Sequence, residues 1–251
     1  MTIRKLRKPE SRENANATIN QAGTTAGVVL LCMAALSGFG YLIAVKGLVI
    51  PGNAAKTASK ISAHESLFRL GFLSLFVAAA LDAVVAWLLF RVFAPVNRGL
   101  SAVAAWSRTA YAAIFAVAIS RLTGIPGLLS PRGGSSGITT QMQDQVLHRI
   151  NSFNDIWNVG LILFGVYLIT LAYLAFRSGF VPKLISVLLA MAGFAYLFDG
   201  FTALAIRATD TPLSTVSAVG EFVFALWLLV RARQITLPSN ADLGNSIVAA
   251  H

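Results

Sequence analysis

SFNDIWNVGLILFGVYLITLAYLAFRSGFVPKLISVLLAMAGFAYLFDGFTAL (Ser152–Leu204) is the stretch that decides the fold class. The 21 residues from Ile156 to Phe176 carry no charge, and 15 more run from Leu184 to Phe198 before Asp199 interrupts them. The polar hinge FRSGFVPK (Phe176–Lys183) separates the two runs. Crossing a hydrocarbon core takes about 20 apolar residues at ~1.5 Å of rise each. The stretch therefore predicts two membrane-crossing helices joined by a tight turn.

The whole chain agrees with that hairpin. Hydrophobic residues make up 56 % and charged residues 12 %, roughly half the charged share of a soluble domain. A soluble core could not hide so much apolar surface, so the lipid bilayer is the expected partner. The net charge of +10 raises the possibility of nucleic acid. The basic residues, however, cluster at the ends of apolar runs and form no stripe with interleaved aromatics, so no nucleic-acid partner is expected. The single cysteine, Cys32, lies inside an apolar run and excludes an intrachain disulfide.

Taken outward, the same criterion predicts an all-α polytopic membrane protein, a bundle of six transmembrane helices at about 22–45, 67–90, 100–122, 154–176, 184–206 and 213–230. Residues 1–21, with Arg4, Lys5, Arg7, Lys8 and Arg12, read as a disordered cytoplasmic tail or a patch for anionic lipid. Residues 22–232 form one transmembrane domain, and 233–251 a second cytoplasmic tail. Residues 46–66 and 123–150 are expected as loops, the first polar, the second containing a flexible PRGGSSG segment (Pro131–Gly137) and a short surface helix over GITTQMQDQVLHRI. Within the first span, Gly23 and Gly27, then Ala34 and Gly38, are small residues at four-residue spacing, which permits close helix packing. Lys and Arg near the span ends number 11 on the side of the N-terminus and 7 on the other. That bias places both termini in the cytoplasm.

Ionisable groups within spans each cost at least ~2.5 kcal/mol on insertion scales and so require a reason. Asp82 precedes Arg91 by nine residues and Arg108 follows Gly99 by nine. Both therefore lie about 13 Å from the inner boundary on antiparallel neighbours, which predicts an Asp82–Arg108 ion pair. A second group gathers toward the outer half: Arg69, Arg121, Asp155, Asp199 and Glu221, with Tyr196 and Tyr111 facing the bundle. Asn151, Asn154, Asp155 and Asn158 form a polar stripe expected to face protein or water. Two readings of this layer stand side by side. One is a structural network tying the spans together. The other is an outward-facing cavity for a small polar or amphipathic ligand, with Arg69, Arg121, Asn154, Asp155, Asn158, Tyr196, Asp199 and Glu221 as its candidates.

Catalytic motifs are missing. No GxxxxGK[ST], GxGxxG or GxSxG occurs, and HESLF (His64–Phe68) lacks the second histidine of a zinc-protease HExxH. His64 and His148 are weak metal candidates with Asp155 or Asp199, enough only for a remote intramembrane metal-dependent hydrolase. No enzyme activity and no cofactor are expected.

Three segments resemble the bacterial "domain of unknown function 4386" proteins. They are NAAKTASKISAHESLFRLGFLS (Asn53–Ser74), LFRVFAPVNRGLSAVAAWSR (Leu89–Arg108) and the run from Phe153 to Phe201, with its FGxxL…RSGxxPxxxxxLL…GxxYLxD pattern. The resemblance implies a multi-pass bacterial membrane protein and marks Glu65, Arg69, Asp155, Arg177 and Asp199. One departure is Tyr167, where many relatives place a histidine after FG. Any activity carried by that histidine is absent from this chain. The resemblance brings no mechanism. Function thus divides between ligand binding or transport and a structural or regulatory role.

The charge bias has a direct test. A phosphatase reporter active only outside the cytoplasm should be silent when fused after His251 and active when inserted in the 123–150 segment. The reverse pattern would invert the topology.

Overall fold

The computed structural model describes residues 9–130, 138–206 and 213–234. PRGGSSG, residues 207–212 between the fifth and sixth expected spans, and parts of the two expected tails (1–8 of 1–21 and 235–251 of 233–251) lie outside the described residues. Eight α-helices are described: α1 (Pro9–Ser37), α2 (Ala54–Ala63), α3 (Glu65–Phe93), α4 (Arg98–Thr123), α5 (Ile125–Leu129), α6 (Thr140–Ser178), α7 (Lys183–Ile206) and α8 (Leu213–Arg231). A π-helical stretch (Gly38–Val45) and a 3-10 turn (Lys46–Leu48) continue α1, and a second 3-10 turn (Ala232–Gln234) follows α8.

Six of these helices close a ring in which α1 touches α3, α3 touches α4, and α4 touches α6. The circuit continues through α7 to α8 and back to α1. Among the described residues, five helical stretches are long and apolar enough to cross a membrane: Asn16–Leu48, Glu65–Phe93, Arg98–Leu129, Thr140–Ser178 and Lys183–Ala205. The sixth expected span falls on α8, which completes the ring but does not meet that criterion among the described residues. The ring's exterior carries large apolar side chains: Trp106 is 76 % exposed, and Leu184, Phe194 and Phe201 also face outward. Only a hydrocarbon solvent makes such a surface cheap.

Local chemistry sets the turns. Between α3 and α4, the Asn97 side chain accepts from the Leu100 N–H at 3.0 Å, and Ser101 Oγ donates to the Phe90 carbonyl at 3.1 Å. At the end of α6, Gly179 has φ of 72°, a left-handed cap that a residue without Cβ adopts at little cost. Phe180 then stacks on Phe93, with centroids 5.8 Å apart.

Three expectations need correction. α1 begins at Pro9, so much of the expected disordered tail is helical. Proline at the first helical position suits a helix start. The expected loop over 46–66 contains α2, capped by Asn53 and anchored by buried Thr57, whose Oγ1 accepts from the Ile50 N–H at 2.9 Å. The expected surface helix near 140 is not separate. It runs into the fourth span as one helix of 39 residues, about 58 Å long, because no proline or glycine interrupts it before Gly160. A helix of that length extends well beyond a core of about 30 Å. α2 and α5 pack on α6, and the Arg149 guanidinium lies over Gly124.

Glycine allows the closest approaches. A Cβ at Gly27 would lie 2.6 Å from the Leu229 nitrogen and 2.9 Å from the Ala225 carbonyl, and one at Gly23 would lie 2.8 Å from Ala232 Cβ. This glycine pair therefore seats α1 on α8. The other small pair does not pack in this way: Ala34 is exposed, and a Cβ on Gly38 would meet nothing within 4 Å. On the α6–α7 seam, a Cβ at Gly193 would lie 3.0 Å from both the Gly165 carbonyl and the Ile169 nitrogen. Backbone cannot yield as a flexible side chain does. Gly193→Leu should therefore cost about 1–3 kcal/mol or more, read as a lower melting temperature of the purified protein in detergent. Gly127→Ala, where nothing lies within 4 Å, should melt no lower than wild type.

Candidate functional site

The chemistry gathers around Arg108. This residue lies on the face of α4 that carries Ser101, Ala104, Tyr111, Phe115 and Ile119 into the bundle. It is 2 % exposed, and Asp82 on α3 is 3 % exposed. Arg108 Nη2 lies 2.6 Å from Asp82 Oδ1. Arg108 Nη1 donates to the Tyr167 hydroxyl on α6 at 2.6 Å. The guanidinium also sits over two ring faces, 4.8 Å from the Tyr167 centroid and 5.5 Å from that of Phe164. One cation thus joins three helices through a carboxylate, a hydroxyl and two π faces. Its coordination is incomplete: Arg108 Nε and Asp82 Oδ1 are buried without a hydrogen-bond partner, so the contact to Asp82 is ionic rather than a well-aligned hydrogen bond.

An aromatic chain surrounds this centre. Trp157 Nε1 donates to the Tyr111 hydroxyl at 3.1 Å. Tyr111 packs on Phe164 at 4.6 Å, and Phe164 meets Tyr196 edge-on at 5.3 Å. On the other side, Tyr41 in the π-helical stretch meets Trp157 edge-on at 4.7 Å. From α7, Tyr196 donates its hydroxyl to Glu221 Oε1 on α8 at 3.3 Å. Glu221 lies within electrostatic range of both Arg108 and Asp82. Polar groups from α3, α4, α6, α7 and α8 therefore converge inside the ring.

The remaining sequence candidates are dispersed. Arg69 is exposed and pairs with Glu65 one turn away at 2.7 Å. Arg121 and Asp155 are exposed, while Asn154 and Asn158 are half-buried on α6. Asp199 is 9 % exposed on α7, and its carbonyl accepts from Thr202 Oγ1 at 3.0 Å. Of the eight cavity candidates, Tyr196 and Glu221 are joined by a hydrogen bond. His64 and His148 are both exposed. His64 Nδ1 lies 3.1 Å from the Lys60 carbonyl. Among the described residues, no group of three or more His, Cys, Asp and Glu is placed to hold a metal.

Sequence reasoning did not assign Tyr167, Phe164 and Trp157 to the site. Their signal was present as spacing: Phe153, Trp157, Phe164, Tyr167 and Leu171 recur at helical intervals on one face of α6. A small cavity of about 10 Å³ adjoins Tyr167, one turn of α4 below Arg108, lined also by Ala86, Ser101, Ala104 and Leu171. It has room for about one water.

Comparison with known proteins places these residues in a family. The family described as Domain of unknown function (DUF4386) matches residues 25–232. The chain belongs to it. An uncharacterized protein of Archaeoglobus fulgidus is 26 % identical over 162 residues, 64 % of this chain and 83 % of that one. No solved structure matches.

The geometry around Arg108 generates a double-mutant prediction. Asp82→Asn leaves a buried guanidinium uncompensated and should cost about 3–5 kcal/mol. Tyr167→Phe should cost about 1–3 kcal/mol by stranding one N–H. The double replacement Asp82→Leu with Arg108→Met removes both charges and should cost less than the sum of Asp82→Leu and Arg108→Met made singly. Unfolding in detergent measures all of these, and additivity would refute the coupling.

Proposed function

We propose that this member of the DUF4386 family is a non-enzymatic multi-pass membrane protein whose intramembrane charges hold its helices together. In this reading it lies in the cytoplasmic membrane with both termini on the cytoplasmic side. The observation that carries the proposal is the fully buried Asp82–Arg108–Tyr167 contact, which ties α3, α4 and α6. Three further polar contacts each join neighbours in the ring. Trp157–Tyr111 joins α6 to α4, and Tyr196–Glu221 joins α7 to α8. Asn20 Nδ2 donates to the Arg233 carbonyl at 3.0 Å and joins α1 to the turn after α8. Apolar packing alone gives little specificity in lipid, because lipid tails solvate leucine as well as a neighbouring helix does. Polar contacts at chosen depths supply the register that apolar packing lacks.

A second reading, binding or moving a small polar or amphipathic ligand, draws support from Glu221 and Tyr196. Both are half-buried, whereas Arg108 is sealed. One measurement separates the two. In the structural reading, Glu221→Gln lowers the melting temperature in detergent, as weakening of the Tyr196–Glu221 clip does. A Glu221→Gln protein that melts as high as wild type or higher supports the ligand reading, since functional acids are retained at a cost to stability.

A further inference from the structure

Between α1 and the turn after α8 lies an open surface pocket of about 250 Å³, lined by Asn20, Gln21, Thr24, Thr25 and Arg233. Its height in the bundle is readable from the chain. The apolar run of α1 starts at Ala22, and α8 ends at Arg231. The cavity therefore straddles the boundary between apolar and polar segments, where lipid headgroups lie. The Asn20 contact to the Arg233 carbonyl folds the 3-10 turn against α1 and brings the Arg233 side chain to the cavity.

The lining suits an oxyanion. Arg233, Gln21 and Thr25 are exposed and present a guanidinium fork, an amide and a hydroxyl, all of them donors. No acid lines the cavity among the described residues. A guanidinium with neutral donors beside it is the recognition set for a phosphate group.

A second observation says what the phosphate is attached to. On α1 the exposed residues Gln21, Thr25, Val28 and Cys32 recur at three- to four-residue spacing. At the other wall Arg233, Val230, Leu226 and Phe222 do the same. Both stripes turn from polar to apolar in the same direction, from the cavity toward the bilayer centre. Both lie on the outward faces of α1 and α8, two helices that Gly23 and Gly27 bring into close contact. A headgroup site that continues into two apolar rails fits a phospholipid better than a soluble anion.

We propose that the α1–α8 seam binds an anionic phospholipid, with its phosphate held by Arg233, Gln21 and Thr25 and its acyl chains lying along Val28, Leu226 and Val230. The inference is independent of whether the central charge cluster is structural. Every lipid-facing surface touches lipid, so the claim concerns preference: anionic headgroups over zwitterionic ones, at this seam.

The test uses the full purified chain, delipidated in detergent, with its melting temperature followed as three probes are added. These are phosphatidylglycerol, phosphatidylcholine with the same acyl chains, and inorganic phosphate. Phosphatidylglycerol should raise the melting temperature more than phosphatidylcholine, and phosphate alone should not reproduce the difference. Arg233→Gln keeps the backbone carbonyl that Asn20 uses and should lose the phosphatidylglycerol excess. Should that variant fail to fold, Gln21→Leu with Thr25→Val replaces it, read by native mass spectrometry as loss of retained phosphatidylglycerol. Equal shifts with the two lipids would leave ordinary annular lipid and overturn the proposal. So would a full excess in Arg233→Gln. Phosphate reproducing the shift would make this a free-anion site and reject the lipid.

Discussion

A guanidinium that cannot be deprotonated has been placed in a medium that cannot solvate it, and the rest of the bundle answers that constraint. Arg108 is buried from all sides, and its charge makes isolation of α4 in lipid expensive. Asp82 neutralises the charge from α3, and Tyr167 takes one donor from α6. The ring faces of Phe164 and Tyr167 supply the polarizable surface that water would otherwise provide. Three helices must therefore sit in one register for the cation to be compensated. A slip of one residue on any of them would turn a partner about 100° away.

Around this point the structure solves a second problem, which is how helices recognise one another when both sides of each are apolar. Two devices are used. Glycines let α1 approach α8 and α6 approach α7 until backbone meets backbone, which maximises dispersion contact. Single polar contacts between ring neighbours then select one alignment among the many that apolar packing would tolerate. The aromatic chain from Tyr41 to Tyr196 fills the interior between these contacts. The π-helical stretch at Gly38–Val45 shifts the facing of side chains late in the first span and brings Tyr41 onto Trp157.

The side of the molecule away from the N-terminus carries structure beyond the spans. α6 is too long for a hydrocarbon core, and α2 and α5 pack on it. The opposite side is built differently, with tight turns at 94–97 and 179–182 and a polar cavity where α1 meets Arg233. The charges of this side, Arg91, Arg98, Arg177, Lys183, Arg231 and Arg233, mark span ends, as the topology signal requires. Arg233 besides lines the pocket beside Asn20, Gln21, Thr24 and Thr25.

What the sequence determined by itself was the solvent and the elements. Runs of 20 or so apolar residues have one stable form in lipid, because every backbone group must find its partner within the helix. Asp82 and Arg108 were also legible, since a short turn between two spans converts equal offsets from that turn into equal depth. What only the tertiary structure decided was which residues meet across helices that are not joined by a short turn. Asn20 meets the turn after α8, 213 positions away, and Tyr167 meets Arg108 across 59. The polar layer of Arg69, Arg121 and Asp155 looked coherent by depth alone, but depth does not specify the angle at which a side chain leaves its helix. Residues 137–150 looked like a separate surface helix because hydropathy falls there. Helix continuity, however, depends on backbone hydrogen bonds, and those bonds form equally well in water and in lipid.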